Sequence, residues 1–300
     1  MKIGIIGAGS IGLLFAAYIS RVFEVTIYTR TVEQAAEINK CGIILQKGSE
    51  QTISIVSALP ITEWKGTEVL TIIAVKQYQL QSIIEKINHL SIMPENLLFL
   101  QNGMGHLKLL TNIQGKNIFV GSVEHGALKD NSYRVNHNGE GKTNVAVFNG
   151  DGLLLQQFST RLSEEFPIAF QEDYYEMLEN KLIVNAVINP LTAILEVENG
   201  ELVNNPFYFN VLKNLFKEIS FILNLEKQEE HLQQIITICK NTAENRSSML
   251  KDIEANRLTE IDAILGFLLE EAARQEKRAP QLETLYYLIK GKEAERGRLS

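Results

Sequence analysis

The chain begins with MKIGIIGAGSIG, residues 1–12, in which a short β-branched run leads into a glycine-rich turn and the start of a helix. This is the GxGxxG pattern of dinucleotide-binding loops, in the strand-turn-helix setting that the pattern requires. Gly7 permits the tight turn, Gly9 lets backbone approach a pyrophosphate, and Gly12 allows close helix-strand contact. The helix N-terminus then faces the anion. The predicted cofactor-binding loop consists of Gly7, Ala8, Gly9, Ser10, Ile11 and Gly12.

The end of the second predicted strand indicates which dinucleotide binds. Residues 27–31 read IYTRT and contain no carboxylate of the kind that binds the ribose 2′-hydroxyl of NAD. Arg30 stands there instead, and its guanidinium can pair with the 2′-phosphate of NADP(H). Glu33 is expected to begin the next helix. The alternative for Arg30 is a solvated surface arginine.

The first half of the chain alternates short apolar runs with helical stretches, which is typical of βαβ units and a parallel sheet. Strands are predicted at 2–6, 24–28, 69–75 and 97–100. Two further runs, 118–122 and 144–148, flank a turn-rich segment at 136–141 and favour hairpins. The sheet is therefore expected to be mixed at one edge.

Apolar residues recur at helical spacing from about residue 151 onward. Helices are predicted at 153–166, 174–194, 207–223, 232–239, 261–273 and 282–289. The predicted fold is an α/β N-terminal Rossmann-like dinucleotide-binding domain, residues 1–170, followed by an all-helical C-terminal substrate domain, residues 171–300.

Composition excludes several classes of function. The net charge of −7 argues against a protein that binds nucleic acid through its phosphate backbone. Cys41 and Cys239 stand far apart without metal-ligand spacing, so neither a disulfide framework nor a metal site is expected, and the reducing cytoplasm is the expected compartment. No run suggests a signal peptide or a membrane span. The sequence leaves the oligomeric state open, a homodimer included.

Two polar residues follow predicted strands at the edge where ligands bind in open α/β sheets. Lys76 comes after the strand at 69–75 and can reach a cofactor phosphate or ribose. Asn102, in QNGMG at 101–105, ends the next strand. A solvated loop lysine and an ordinary Asn-Gly turn remain the alternatives.

A polar stripe marks one predicted helix of the second half. Lys181, Asn185 and Asn189 recur every four residues among apolar neighbours, so they share one face of a largely buried helix. Buried lysine and asparagine need partners, which indicates a polar cavity or contact. A lysine paired with a carboxylate in a structural contact is the alternative.

The segments at 241–253 and 259–262 hold a second polar cluster that includes Asn245, Ser248 and Glu260. Periodicity alone does not single these residues out. Spacing alone favours ordinary structural roles, with Ser248 as a helix N-cap and Glu260 as a first-turn acid. The histidines are expected at the surface or in turns and receive no role; they include His106, His125, His137 and His231.

Taken together, these motifs closely resemble those of the ketopantoate reductase (2-dehydropantoate 2-reductase) family. The matching stretches are the glycine loop with Arg30, the turn at 101–105, the stripe from Lys181 running into NPLTA at 189–193, NGEL at 199–202, and the segments at 241–253 and 260–262. The resemblance spans nearly the whole chain. One departure is Glu179-Asn180, because the resemblance leads us to expect aromatic or basic residues just before the lysine.

The resemblance implies a role for each matching residue. Lys181 is expected to be the general acid, and Glu260 the carboxylate that holds the substrate hydroxyl and the lysine. Asn102 is expected beside the nicotinamide and the substrate. Lys76 and Glu260 are also expected to contact the cofactor. The remaining substrate-orienting positions are Asn185, Asn189, Asn199, Asn245 and Ser248, with Ser248 assigned to the substrate carboxylate.

The implied reaction is the NADPH-dependent reduction of ketopantoate to (R)-pantoate, a precursor of pantothenate and coenzyme A. One alternative is a related reductase of another 2-keto acid, because a fold and a cofactor loop do not fix a substrate. A non-catalytic NADP-sensing regulator is the other, and Lys181 and Glu260 argue against it.

Overall fold

The computed structural model describes residues 1–113, 115–162 and 166–296. The chain divides into two compact units. Unit 1 comprises Met1–Gln101 and Leu107–Met177, and unit 2 comprises Asn102–His106 and the chain from Leu178 onward. The short segment Asn102–His106 is therefore grouped with the C-terminal part of the chain.

The main sheet of unit 1 has eight strands within the described ranges, in the order β12-β11-β8-β7-β6-β1-β2-β5. Pairing is parallel from β5 across to β8, whereas β11 is antiparallel to β8 and parallel to β12. This confirms a parallel sheet that is mixed at one edge. Sequence order reverses between β1 and β6, and ligands bind at the carboxyl ends of strands at such a point. The strands are β1 (Lys2–Ile6), β2 (Glu24–Thr29), β5 (Ser57–Pro60), β6 (Leu70–Ile73), β7 (Asn96–Phe99), β8 (Asn117–Val123), β11 (Thr143–Asn149) and β12 (Ile168–Gln171).

A second, four-stranded sheet in unit 1 has the order β4-β3-β10-β9. Its strands are β3 (Ile43–Lys47), β4 (Glu50–Ser54), β9 (Gly126–Lys129) and β10 (Arg134–Gly139). The predicted turn at 136–141 is wrong for most of its length, because β10 pairs with β3 in parallel and with β9 antiparallel. Pairing with strands from elsewhere in the chain overrides the local preference of Gly and Asn for turns.

The first helix of unit 1 lies within its apolar core. In the first helix every residue from Gly12 to Ile19 is buried, and this helix contacts strands of both sheets. Phe166 lies between two of its aromatic rings, at 5.0 Å from Phe15 edge-on and 4.6 Å from Tyr18 stacked. The predicted helix at 153–166 ends earlier, at Thr160, and positions 163–165 lie outside the described residues. The helices are α1 (Ser10–Ile19), α2 (Val32–Cys41), α3 (Leu80–Asn88), α4 (Leu107–Leu110) and α5 (Leu153–Thr160).

From residue 174 onward the described chain forms helices and their connections. The predicted helices at 174–194 and 207–223 are confirmed almost to the residue. These helices are α6 (Tyr174–Leu195), α7 (Glu201–Asn204), α8 (Pro206–Leu223), α9 (Gln228–Asn241), α10 (Ser248–Glu254), α11 (Phe267–Arg274) and α12 (Pro280–Arg296), and a π-helix at Asp262–Gly266 runs directly into α11. The fold class is therefore as predicted, a Rossmann-like α/β part followed by a helical part. Within the described ranges, no helix has the length and apolar character needed to cross a bilayer.

Candidate active site

The glycine loop has the geometry that a dinucleotide requires. Gly7 has φ +105°, and a Cβ there would lie 2.9 Å from Cγ1 of Val75, which lies just beyond the end of β6. A Cβ on Gly12 would lie only 1.7 Å from the carbonyl oxygen of Gly7. At Gly9, in contrast, a Cβ would meet no atom of the described residues within 4 Å, so the space on that side of the backbone is open. The loop thus leaves room for a pyrophosphate against bare backbone at the start of α1.

The loop residues between these glycines complete the turn. The backbone N–H of Gly7 donates to the carbonyl of Tyr28, which ties the loop to β2. Ser10 begins α1, and Ile11 packs against the apolar core. Ala8 presents a carbonyl that accepts hydrogen bonds from two side chains. These contacts tie the loop to β2, to α2 and to the second sheet.

Arg30 lies directly after β2 and is exposed to solvent. The next residue, Thr31, is the N-cap of α2, and its hydroxyl accepts a hydrogen bond of 3.2 Å from the N–H of Gln34. Glu33 falls in the first turn of α2, as the sequence predicts. Its place there is favourable for the helix dipole, and Arg30 remains the charged residue at the carboxyl end of β2.

Lys76 lies beyond the carboxyl end of β6 and is the N-cap residue of a short 3₁₀ turn at Gln77–Gln79. The amide of Gln101 donates to the carbonyls of Ile73, at 3.1 Å, and Val75, at 2.9 Å. These two bonds hold the strand end that leads into Lys76. The lysine is therefore placed at the sheet edge next to the glycine loop, where the sequence predicts it.

The polar stripe of unit 2 lies on α6. Lys181 and Asn185 are partly exposed, and Asn189 is buried. In the described part of the chain, the side-chain amides of Asn185 and Asn189 have no hydrogen-bond partner. Pro190 follows within the helix and cannot donate a backbone hydrogen bond. The stripe therefore combines one ammonium with two amides that are available to a ligand.

Asn102 and Glu260 are brought together although 158 positions separate them. The amide Nδ2 of Asn102 donates to Oε2 of Glu260 at 2.7 Å. Gly103, with φ +73°, makes this approach possible, because a Cβ there would lie 2.1 Å from the carbonyl oxygen of Ala263 in the π-helix. π-helical turns recur at functional sites. Both residues belong to unit 2 with Lys181.

The segment that carries Glu260 is held by α12. The backbone N–H and the hydroxyl of Thr259 both donate to Oε1 of Glu293, at 2.8 and 2.7 Å. The other oxygen of Glu293 pairs with Lys290, which also pairs with Asp262 just beyond Glu260. Burial lowers the pKa of Lys290, but its bonds to Glu293 and Asp262 outweigh that effect and raise it. The backbone is thus anchored on both sides of Glu260.

Two other predicted site residues meet through their backbones. The N–H of Asn199 donates to the carbonyl of Asn245 at 3.0 Å. The Asn199 amide donates to the hydroxyl of Thr242, and its buried Oδ1 has no hydrogen-bond partner within the described ranges. A buried oxygen of this kind costs stability unless a ligand or water donates to it.

The N-cap of α10 is Ser247, whose hydroxyl accepts from the N–H of Leu250 at 3.1 Å. Ser247 also accepts a 2.7 Å bond from the buried hydroxyl of Thr192 on α6. The cap role that the sequence left open for Ser248 therefore falls to its neighbour. Ser248 is the first residue of the helix and its side chain is exposed, so its hydroxyl is available to bind a ligand.

Three histidines are buried, contrary to the expectation of surface or turn positions. His106 is fully buried in the segment that follows Asn102, and neither ring nitrogen has a hydrogen-bond partner among the described residues. Burial lowers its pKa to about 4. His137 accepts or donates a 2.8 Å bond with the Tyr18 hydroxyl, and His125 stacks on Phe166. Local polarity did not reveal that these rings fill the cores of their units.

Lys129 was missed by sequence reasoning altogether. It ends β9, yet its Nζ donates to the carbonyl of Ala8 at 3.1 Å, and its backbone N–H donates to the hydroxyl of Ser10 at 3.0 Å. No local pattern signals a contact between positions so far apart in the chain. The second sheet brings this lysine to the glycine loop.

Two family models match the chain. The model described as ketopantoate reductase PanE/ApbA matches residues 3–150, and the model described as ketopantoate reductase PanE/ApbA C terminal matches residues 173–293. The gap between the two matched ranges lies near the position where the sequence predicts a change from α/β to all-helical structure. Both halves therefore resemble the same kind of protein.

Individual proteins agree with the family models. The 2-dehydropantoate 2-reductase of Bacillus subtilis (strain 168) is 44% identical over 295 residues, which cover 98% of each chain. The crystal structure of the probable B. subtilis enzyme has a TM-score of 0.90 at 44% identity and covers 98% of this chain and 100% of that one.

More distant structures share the fold. D-mandelate dehydrogenase, in a ternary structure with NADH and anilino(oxo)acetate, is 22% identical with a TM-score of 0.89 over 99% of both chains. A dimeric ketopantoate reductase of Staphylococcus aureus is 22% identical with a TM-score of 0.80 over 99% of this chain and 100% of that one. The likeness to the B. subtilis protein extends over sequence, fold and length, and with the two family models it shows that this chain belongs to the ketopantoate reductase family.

Proposed function

We propose that this chain reduces 2-dehydropantoate to (R)-pantoate with NADPH, a step that supplies pantoate for pantothenate and coenzyme A. The observation that carries the proposal is the 2.7 Å hydrogen bond between Asn102 and Glu260 in the same unit as the polar stripe of α6. A cofactor-binding loop alone fits many dehydrogenases. An amide, a carboxylate and a lysine together fit a hydroxylated keto acid.

The residues of unit 1 fit the cofactor. The open backbone at Gly9 and the start of α1 suit the pyrophosphate, and Arg30 suits the 2′-phosphate. Lys76, at the neighbouring sheet edge, suits a ribose or phosphate oxygen. When bound, NADPH supplies the hydride that adds to C2 of the keto acid.

Lys181 is the proposed general acid. Hydride addition places negative charge on the carbonyl oxygen, so an ammonium at hydrogen-bond distance stabilises the developing charge. The same Nζ then delivers its proton to that oxygen to give the 2-hydroxyl, and the amine regains a proton from solvent. Apolar neighbours on α6 limit the competing hydration of the ammonium.

The other predicted residues hold the substrate in place. Glu260 can accept a hydrogen bond from the substrate hydroxyl, and its Oε2 orients the Asn102 amide. The amides of Asn185 and Asn189 extend the stripe from Lys181. Oδ1 of Asn199 and the exposed hydroxyl of Ser248 offer further contacts, the latter to the carboxylate; Asn245 is tied to Asn199.

The test is NADPH oxidation by the purified chain with ketopantoate and with a panel of other 2-keto acids. The panel includes the aryl 2-keto acid whose reduction gives mandelate. The proposal expects the highest kcat/KM with ketopantoate. A higher value with another keto acid favours the related-reductase alternative. Tight NADPH binding without turnover of any keto acid favours the regulator.

Cofactor preference gives a separate prediction. Arg30→Asp replaces a cation with a carboxylate that repels the 2′-phosphate, so NADPH affinity should fall about ten- to a hundredfold. Calorimetric titration with NADPH and NADH measures the change. Equal affinity of the unaltered chain for both cofactors contradicts the NADPH assignment.

The proposal also covers the oligomeric state and the cellular compartment of the protein. The dimer of the S. aureus relative makes a homodimer the proposed assembly here, which sedimentation equilibrium tests. Cys41 and Cys239 are free thiols, which suits the proposed cytoplasmic compartment. Fractionation of cells that carry the tagged chain tests that placement.

A further inference from the structure

Lys129 touches the glycine loop on both sides of Gly9. Its Nζ donates to the carbonyl of Ala8 at 3.1 Å, and its backbone N–H donates to the hydroxyl of Ser10 at 3.0 Å. Gly9 itself faces open space. The ammonium is therefore held at the rim of the volume that the loop leaves for the cofactor.

The helix that follows β2 donates to the same carbonyl. Nε2 of Gln34, in the first turn of α2, donates to the carbonyl of Ala8 at 3.0 Å. Arg30 lies in the short connection between β2 and α2. Gln34 and Lys129 therefore both donate to the carbonyl of Ala8, and Arg30 lies on the chain segment that leads into Gln34.

The two cations interact with each other. Burial of the ammonium lowers the pKa of Lys129, the Arg30 guanidinium lowers it further, and Glu37 on α2 opposes both effects. In the part of the chain that the structure describes, neither Arg30 nor Lys129 forms an ion pair with a carboxylate. Two neighbouring positive charges, one of them partly buried, raise the free energy of the free protein unless an anion joins them.

We propose that Lys129 is a second cation for the 2′-phosphate of NADPH and, with Arg30, determines the preference for NADPH over NADH. This inference rests on the proposed NADPH-dependent function. A phosphate monoester carries up to two negative charges, so it can pair with both side chains at once. The carbonyl of Ala8 holds the ammonium in position before the phosphate arrives, which reduces the ordering cost of binding.

The experiment compares two ligands that differ only in the 2′-phosphate. NADPH and NADH are titrated by calorimetry into the full-length protein and into Lys129→Met, which keeps the aliphatic stem but removes the charge. NADPH affinity should fall about ten- to a hundredfold, since one charge-assisted contact is lost. NADH affinity should stay within about twofold, because its ribose carries no phosphate for the ammonium. Adenosine 2′,5′-bisphosphate and adenosine 5′-monophosphate should repeat the contrast without the nicotinamide.

Two further variants serve as controls. Lys129→Arg keeps a cation and should retain most of the NADPH affinity. Lys116→Met removes the same charge from an exposed lysine just before the amino end of β8, at the opposite edge of the sheet, and should change neither affinity.

Each contrary result has its own meaning. If Lys129→Met weakens NADPH and NADH by the same factor, the lysine supports the loop or the pyrophosphate, and the inference is wrong. It is also wrong if neither affinity changes while the unaltered protein prefers NADPH. Equal affinity of the unaltered protein for the two cofactors overturns the proposed cofactor assignment itself.

Discussion

At the scale of single residues, Lys181 carries the strongest chemical claim. Lys181→Ala should lower kcat with ketopantoate by about 100- to 10 000-fold, because proton donation and charge stabilisation are lost together. NADPH affinity should change little, since the glycine loop belongs to unit 1 and Lys181 to unit 2. Steady-state kinetics and NADPH titration measure the two effects separately.

The control for this variant is Lys217→Ala, which removes the same charge from an exposed position on α8. It should leave kcat unchanged. If Lys181→Ala turns over as fast as this control, Lys181 is a structural charge and the proposed acid must be sought elsewhere.

Glu260 gives a second prediction at this scale. Glu260→Ala removes the acceptor of the Asn102 amide and the proposed partner of the substrate hydroxyl, so kcat/KM for ketopantoate should fall roughly a hundredfold. Glu260→Gln keeps an oxygen for Asn102 and should lose less. Normal kcat/KM with a lower melting temperature in Glu260→Ala would identify Glu260 as a helix-terminus acid instead.

At the scale of elements, the position of Glu260 depends on α12. Glu293→Ala removes the acceptor shared by the N–H and hydroxyl of buried Thr259, which should cost about 1–3 kcal/mol of stability. Because Thr259 precedes Glu260, KM for ketopantoate should also rise, while NADPH affinity stays constant. Urea unfolding and steady-state kinetics measure both changes.

Two comparisons show whether this element acts on the site. Glu293→Gln, whose amide oxygen can still accept from Thr259, should recover much of the KM. Glu283→Ala, an exposed change in the first turn of the same helix, should leave KM unaltered. A loss of stability in Glu293→Ala with an unchanged KM restricts α12 to a structural role.

At the scale of the whole molecule, buried histidines make stability depend on pH. Burial lowers the pKa of His106 from its ordinary value of 6.5 to about 4. Between these values the unfolded chain binds a proton that the folded chain does not, so the free energy of unfolding falls as pH falls. One such group contributes a slope of about 1.4 kcal/mol per pH unit.

His106→Leu removes this group without adding a polar atom to the core. Its unfolding free energy, from urea titrations at several pH values between 6.5 and 4, should fall less steeply with acid than that of the unaltered chain. His125, whose pKa burial also lowers to about 4, should keep part of the slope in the variant. Identical slopes for the two proteins contradict the assignment to His106.

The sequence by itself determined the features that depend on neighbouring positions. The glycine loop after β1, the absence of a carboxylate around Arg30 and the four-residue spacing of Lys181 and Asn185 follow from local backbone geometry and period. The parallel order of the main sheet follows from the alternation of strands and helices.

Only the tertiary structure decided which distant residues meet. The bond from Asn102 to Glu260 and the contact of Lys129 with Ala8 join positions with no shared periodicity. Most of the turn-rich run at 136–141 lies in β10 because two partner strands satisfy its backbone, and His106 lies in the core because its ring fills space there. Local patterns encode backbone preference and amphipathic faces, whereas contacts across the chain depend on the summed packing and hydrogen bonding of the folded units.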